Sequence, residues 1–335
     1  MSRAFLLFCA FAVLGSVGRA NTVELKVVDR ASKPVEGAEG RIYFLTTDSR
    51  ITNRVDVRTS AEGNARAEAT ATYGFNIAVA KPGYYSAFLD HLPLTDRLEQ
   101  TVVLPAIRNP IPLMARKVNP QSGPGARIPA LDTWMDFDFE RGDWLPPYGS
   151  GQTSDIRFRF TQEFVGYPAS IRDLEEEKEV SKLFFAARGE EWTEEAFRRR
   201  TGLWRGELAI AFPNDGEGLV EVRDEFLPYS RLKMPHEAPV GGFQPTWRYL
   251  ADDRTPSDYR MDVGFFLRIR VQRDAMGAIT SAHYVKLMGD ILLDPSGSLG
   301  FAYYFNPTPG DRNLEFDPER NLLPPTDFSE RVTEP

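Results

Sequence analysis

The sequence predicts a mainly β protein, built from an N-terminal β-sandwich and a larger, mostly antiparallel β domain with one or two short helices. Three observations predict it. Short apolar–polar alternations follow one another from residue 22 at spacings of about 8–12 residues, with Gly- or Pro-containing turns between them. The run Asn119-Pro120-Gln121-Ser122-Gly123-Pro124-Gly125 has linker composition and separates two such series. Only Ser170–Ala187 and Thr193–Arg200 carry the Glu, Lys, Arg and Ala content of helices, the second with Thr193 as its cap.

The chain opens with Met1-Ser2-Arg3, one positive charge ahead of the uncharged run Ala4–Leu14. Gly15, Ser16 and Gly18 break that run, and Ala20 supplies a small residue before Asn21. This is the pattern of a secretory signal peptide (residues 1–20), cleaved after Ala20. The run is too short to span a bilayer, which takes about 20 apolar residues. Phe8 precedes Cys9 where a lipoprotein signal has a small residue, so no lipid anchor is expected. The mature protein is expected in the periplasm, at the outer surface or outside the cell, with no transmembrane span once the signal is removed.

Cys9 is the only cysteine, so the mature chain holds none. A disulfide-stapled scaffold and a thiol nucleophile are excluded with it. Such a chain must rely on its core, and about 315 remaining residues are ample for two domains. Removing the leader takes away two basic residues, Arg3 and Arg19, and moves the net charge from −8 to −10. An acidic chain is poorly suited to hold a phosphate backbone, so nucleic acid is not an expected partner.

Residues 21–104 supply the first series of strands. In Thr22–Val28, Val23, Leu25 and Val27 share one face and Glu24 and Lys26 the other. Arg41–Thr47, Asn53–Thr59, Phe75–Val79 and Gln100–Leu104 are similar. Ser32-Lys33-Pro34, Glu62-Gly63-Asn64 and Lys81-Pro82-Gly83 are the turns between them.

Three stretches here resemble carboxypeptidase-regulatory-like domains, also described as prealbumin-like or Cna-B-like. They are Val27-Val28-Asp29 with Pro34-Val35-Glu36-Gly37-Ala38, then Thr59-Ser60-Ala61-Glu62-Gly63-Asn64-Ala65, then Tyr73-Gly74-Phe75-Asn76-Ile77-Ala78-Val79-Ala80-Lys81-Pro82-Gly83-Tyr84. The resemblance covers residues 22–104 and implies a seven-strand sandwich with no catalytic residue. Gly40 departs from the pattern, standing where a β-branched residue would be usual.

Residues 105–130, Pro-punctuated and then Gly-rich, are expected as a linker. The second domain, 131–335, shows strand signals at Trp134–Phe139, Ile156–Phe160, Leu208–Phe212 and Leu219–Val222. Its last third reads as a meander: Arg260–Arg273, a turn at Asp274-Ala275-Met276-Gly277, Ile279–Leu293, a turn at Asp294-Pro295-Ser296-Gly297, and Leu299–Phe305. The segments 141–149 (R-G-D-W-L-P-P-Y-G) and 303–316 (Y-Y-F-N-P-T-P-G-D-R-N-L-E-F) resemble exported proteins of environmental bacteria to which no activity is attached.

Motifs that would specify a reaction are missing. Zinc-ligand spacing fails, because His236-Glu237 is followed by Val240 where H-E-x-x-H needs its second imidazole. His91 and His283 stand alone. Ser230-Arg231-Leu232-Lys233 matches S-x-x-K, yet Pro228 and Pro235 oppose the helix it needs, and neither S-D-N nor K-T-G follows. There is no G-x-S-x-G elbow and no phosphate loop.

Carboxylates and aromatics remain. A strand at Trp134–Phe139 places Trp134, Asp136 and Asp138 on one face, with the two acids roughly 7 Å apart. That separation lies between those of retaining and inverting glycosidases. Asp143, Trp144 and Tyr148 follow closely, and rings beside acids can stack on sugars. Against this, Met135, Phe137 and Phe139 can form a core face while the acids merely face water, and Trp204 and Trp247 can equally fill the core. The expected function is therefore an exported, non-enzymatic binding protein of the cell envelope or secreted fraction. Its ligand site is expected at Trp134, Asp136, Asp138, Asp143, Trp144 and Tyr148, with polysaccharide as first ligand and an envelope protein as the other possible partner. No cofactor, metal ligand or catalytic residue is assigned. A glycan-directed hydrolase using carboxylates from Asp136 to Asp143 and a purely structural envelope component are the alternatives.

Overall fold

In the computed structural model, residues 20–45, 51–118, 127–255, 260–323 and 328–335 are described. Almost all of the expected signal peptide, with residues 119–126 of the expected linker, lies outside them. The chain is mainly β and divides into two units, one ending at Ala106 and the next starting at Ile107.

The first unit holds seven strands: β1 (Asn21–Val28), β2 (Glu39–Leu45), β3 (Ile51–Arg58), β4 (Asn64–Ala69), β5 (Gly74–Ala80), β6 (Ala87–Pro93) and β7 (Arg97–Val103). They form two sheets, ordered β4-β1-β7 and β3-β2-β5-β6. All pairings are antiparallel except β1 with β7, which is parallel. Alternation puts Val23, Leu25, Val27, Ile42, Phe44, Phe75, Ile77 and Val79 into the core, each at most 1% exposed. Gly40 has a physical reason. A Cβ there would fall 2.8 Å from Val57 Cγ2 and 3.1 Å from Leu25 Cδ2, so the two sheets leave no room for a side chain. Thr59 ties the β3 end inward, its buried hydroxyl donating to Val35 O (2.6 Å) and accepting from Ala38 N (2.8 Å).

The second unit holds β8 (Met114–Val118), β9 (Trp134–Asp138), β10 (Asp143–Trp144), β11 (Ile156–Gly166), β12 (Leu203–Ala211), β13 (Gly218–Val222), β14 (Thr246–Asp252), β15 (Gly264–Arg273), β16 (Ile279–Asp294) and β17 (Ser298–Asn306). Two helices, α1 (Leu174–Ala187) and α2 (Glu194–Thr201), connect β11 to β12. Asp173 caps α1, accepting from Glu175 N and Glu176 N, which is why that helix starts later than composition suggested. Thr193 caps α2 through Ala196 N.

Its ten strands make two antiparallel five-stranded sheets, β10-β9-β11-β12-β14 and β13-β15-β16-β17-β8. They face each other across one core containing Met135, Phe137, Phe139, Phe158, Phe160, Leu208, Ile210, Phe265, Leu267, Phe301 and Tyr303. The far face of the β15–β16–β17 sheet is covered as well. Phe266, Tyr284 and Tyr304 pack there with Phe226, Met234, Leu314 and Phe316 from irregular segments. A sheet buried on both faces needs unbroken apolar strands, and F-F-L and Y-Y-F supply them. The other sheet alternates (W-M-D-F-D, I-R-F-R-F) because its outer face is open.

The expected linker 105–130 is corrected over its described part. Leu113 and Ala115 are fully buried, β8 pairs in register with β17, and Ile128 is in the main core. Pro-rich sequence here marks an edge strand and its approach, where missing N–H groups cost little.

The tail motif 303–316 is also structural. Buried Asn306 donates to Asn313 O and Asp311 Oδ2 and accepts from Thr308 N. Buried Glu315 accepts from Arg108 N and Asn109 N. Lys286, fully buried, donates to Leu314 O at 2.9 Å and lies 4.2 Å over the Tyr304 ring.

Candidate functional site

The open sheet face follows from register. Trp134 lies opposite Arg159, Arg159 opposite Ala209, and Ala209 opposite Arg248. The neighbouring row runs Asp136, Arg157, Ala211, Thr246. Strands sit about 4.8 Å apart, so the Trp134–Arg248 row spans roughly 14 Å. Along β12 the two alanines make a low floor between taller side chains. The guanidiniums of Arg157 and Arg159 each lie 5.6 Å from the Trp134 ring, within cation–π range. Arg157 is ion-paired with Asp136 at 3.0 Å. Arg159 has no ion-pair partner among the described residues. Arg248 is highly exposed and approaches Glu207 at 3.3 Å, and Leu250 beside it is exposed too.

The six residues expected at one site separate into three groups. Trp134 and Asp136 are on this open face, partly exposed. Asp138, on the same side of β9, is 1% exposed and does not face water. Its Oδ1 accepts from Glu140 N (2.9 Å) and Arg141 N (3.2 Å), and its Oδ2 from Gln152 N (2.9 Å) and Thr153 N (3.1 Å). A short-side-chain acid at a strand end thus clamps two loops. Asp143 does similar work, accepting from Trp144 N, Ser150 N and Ser150 Oγ at 2.7–2.8 Å. Gly149 is required beside it, since a Cβ there would fall 2.7 Å from the Asp143 carboxyl carbon. Trp144 is 1% exposed, packed edge-on against Phe137 (5.4 Å) and Phe158 (5.7 Å). Asp138 and Trp144 are therefore removed from the expected ligand site. The motif 141–149 that carries Asp143 and Trp144 builds a loop.

Tyr148 is 38% exposed. It lines a cavity of about 380 Å³ that also takes in Arg127, Gln162 and Arg199.

Sequence reading missed Arg157, Arg159 and Arg248. The signal was present, because I-R-F-R-F alternates in step with W-M-D-F-D-F and pairing the two strands sets Arg against Trp and Asp.

A buried charged cluster lies behind Asp138. Arg270, at φ +51° in a bulge of β15, donates to both oxygens of fully buried Asp155 (2.7 and 3.0 Å) and to Glu140 at 2.7 Å. Burial pushes the Asp155 carboxyl up to about 6, against the opposing pull of Arg270. His283 stacks on Phe305, and burial, then the Arg270 charge, lowers its pKa below 6.5. Asp155 also accepts from Phe139 N, so the cluster fixes the end of β9 to β15. The S-x-x-K serine, Ser230, is buried in a non-helical turn, and Lys233 is ion-paired to Glu334 at 2.7 Å. Among the described residues no group of three or more His, Cys, Asp or Glu is placed to hold a metal, and no helix is long and apolar enough to cross a membrane.

No family model and no curated protein matches the chain. Among solved structures it is similar, over 27% of its length, to 3-chlorocatechol 1,2-dioxygenase from Rhodococcus opacus 1CP, at 11% identity and TM-score 0.24. It is similar over 28% of its length to the minor pilin GBS52 of Streptococcus agalactiae (14%, TM-score 0.20, 47% of that chain). It is also similar over 28% to the major plantain pollen allergen Pla l 1 (10%, TM-score 0.20, 98% of that chain). The match spans 61% of the chlorocatechol dioxygenase chain. Likenesses of this extent carry no argument about activity.

Proposed function

We propose that the chain is an exported, non-enzymatic binding protein that holds a polysaccharide across the open face of the β9–β11–β12–β14 sheet. The observation that carries this is Trp134, presented on that face in one row with Arg159, Ala209 and Arg248. An indole supplies an apolar face for a sugar ring, and guanidiniums and carboxylates beside it supply hydrogen bonds to hydroxyls. The state of the acids favours binding over hydrolysis. Asp138 and Asp143 have their oxygens filled by backbone amides, and Asp136 is ion-paired, so no two carboxylates from Asp136 to Asp143 are free for acid–base work.

Export, and the identification of the first unit as a carboxypeptidase-regulatory-like domain, belong to the same proposal. The leader and the three sandwich motifs support them, as does β1 beginning at Asn21, the residue expected to follow the cleavage. Retention on a panel of insoluble polysaccharides tests the binding. The purified chain should be held by at least one of them without releasing reducing sugar, and Trp134→Ala should lose that retention with an unchanged melt. Release of sugar that stops with Asp136→Asn would replace the proposal with a hydrolase. Retention untouched by Trp134→Ala would move the site elsewhere.

A further inference from the structure

The cavity at Tyr148 lies off the Trp134 face and shares no residue with it. Ile128, Pro129, Ala130 and the Ser296–Gly297 turn form its walls, and Arg127, Tyr148, Gln162 and Arg199 supply its functional groups. In a chain with 48 acidic and 40 basic residues, this cavity is lined by two arginines and no acid. Three of its polar groups are uncommitted. The guanidinium of Arg127, the amide of Gln162 and the hydroxyl of Tyr148 make no hydrogen bond or ion pair among the described residues. Arg199 is held by Glu195, one turn earlier on α2, at 2.6 Å, which fixes the side chain while leaving donors of its fork unused. Gln162 and Gly297 line the same wall of the cavity.

From this we infer that the cavity is a second binding site, specific for one carboxylate-bearing sugar ring, a uronate. The ligand class rests on the proposed glycan binding, while the anion preference rests on the cavity alone. Guanidinium forks match a carboxylate in two parallel hydrogen bonds. Tyr148 supplies an aromatic ring to the lining, and the Gln162 amide can both donate to and accept from ring hydroxyls. A volume of about 380 Å³ is at the small end of ligand pockets and suits one ring better than an oligomer. A polysaccharide containing uronate residues would then meet the protein twice, by ring stacking at Trp134 and by charge at Arg127 and Arg199.

Titration calorimetry of the full chain with galacturonate, galactose and sodium sulfate tests this. Galacturonate should bind at least about tenfold tighter than galactose, the loss expected when a charged hydrogen-bond pair is removed. The double variant Arg127→Gln, Arg199→Gln should erase that difference, Arg127→Lys alone should keep part of it, and Trp134→Ala should leave it intact. Equal binding of the two sugars, or a preference that survives the double variant, overturns the inference. Sulfate binding as tightly as galacturonate would reduce the cavity to a simple anion site and overturn the sugar assignment. Failure of Trp134→Ala to affect polysaccharide retention, with the galacturonate preference intact, would sink the sheet-face reading and leave this cavity standing.

Discussion

Asp138 receives four backbone N–H groups on its two oxygens. Replacing it with Asn turns one oxygen into an NH₂ that confronts two amide donors. Asp138→Asn should therefore destabilise the protein by about 1–3 kcal/mol, the cost of leaving buried donors unsatisfied. Asp136→Asn, which weakens one partly exposed ion pair with Arg157 and keeps an amide oxygen to accept from Ser154 Oγ, should cost no more than about 1 kcal/mol. Urea midpoints of the two single variants separate these cases, and equal midpoints would contradict the clamp. Arg270 is the second decisive residue. Truncation to Ala leaves Asp155 buried without its cation and should cost about 3–5 kcal/mol. The pH dependence has a definite sign. With its native pKa raised to about 6, Asp155 binds a proton in the folded state at pH values where the unfolded chain has released it. Its contribution to stability is greatest below about pH 4 and falls as pH rises through 6. His283, with its pKa lowered, works in the opposite direction up to about pH 6.5, so the two should be followed separately by NMR titration. An Asp155 midpoint near 4 would contradict the burial argument.

Strands that pair on both sides were all legible in the sequence, whereas edge strands were uneven: β3, β7 and β13 carried a signal and the others did not. β1, β2, β5, β11, β12, β15, β16 and β17 all lie inside sheets or carry strong alternation. The strands with no clear signal, β4 (N-A-R-A-E-A), β6, β8, β10 and β14, are each at a sheet edge. An edge strand buries less and pairs once, so its composition is freer. The open face was half legible. Alternation gave Trp134 and Asp136 their side of β9, but the fates of Asp138 and Trp144 depend on loops folding back over the strand end, which no period reveals. Gly40 illustrates the same limit within the first unit, where only the packed sheets show why a side chain is excluded. Gly40→Ala should cost about 1–3 kcal/mol through overpacking against Val57 and Leu25. A melt unchanged by that substitution would mean that the sheets separate more easily than their packing implies.

At the scale of the whole molecule, the two compact units should unfold as two transitions. Residues 21–106 expressed alone should give a β-type circular dichroism spectrum and a cooperative melt, since the core of that unit is its own. Export predicts Asn21 as the first residue of protein recovered outside the cytoplasm, and an intact Met1 there would contradict it. The central claim, that a glycan lies on the open sheet face, is tested most directly by chemical-shift mapping during titration with a neutral glycan that the protein retains. The account predicts that the Trp134 indole N–H moves first, with amides of residues 157–161 and 207–211 and the Arg248 neighbourhood following, while those of the buried sheet stay fixed. Shifts confined to other surfaces, with the Trp134 indole unmoved at saturation, would contradict it.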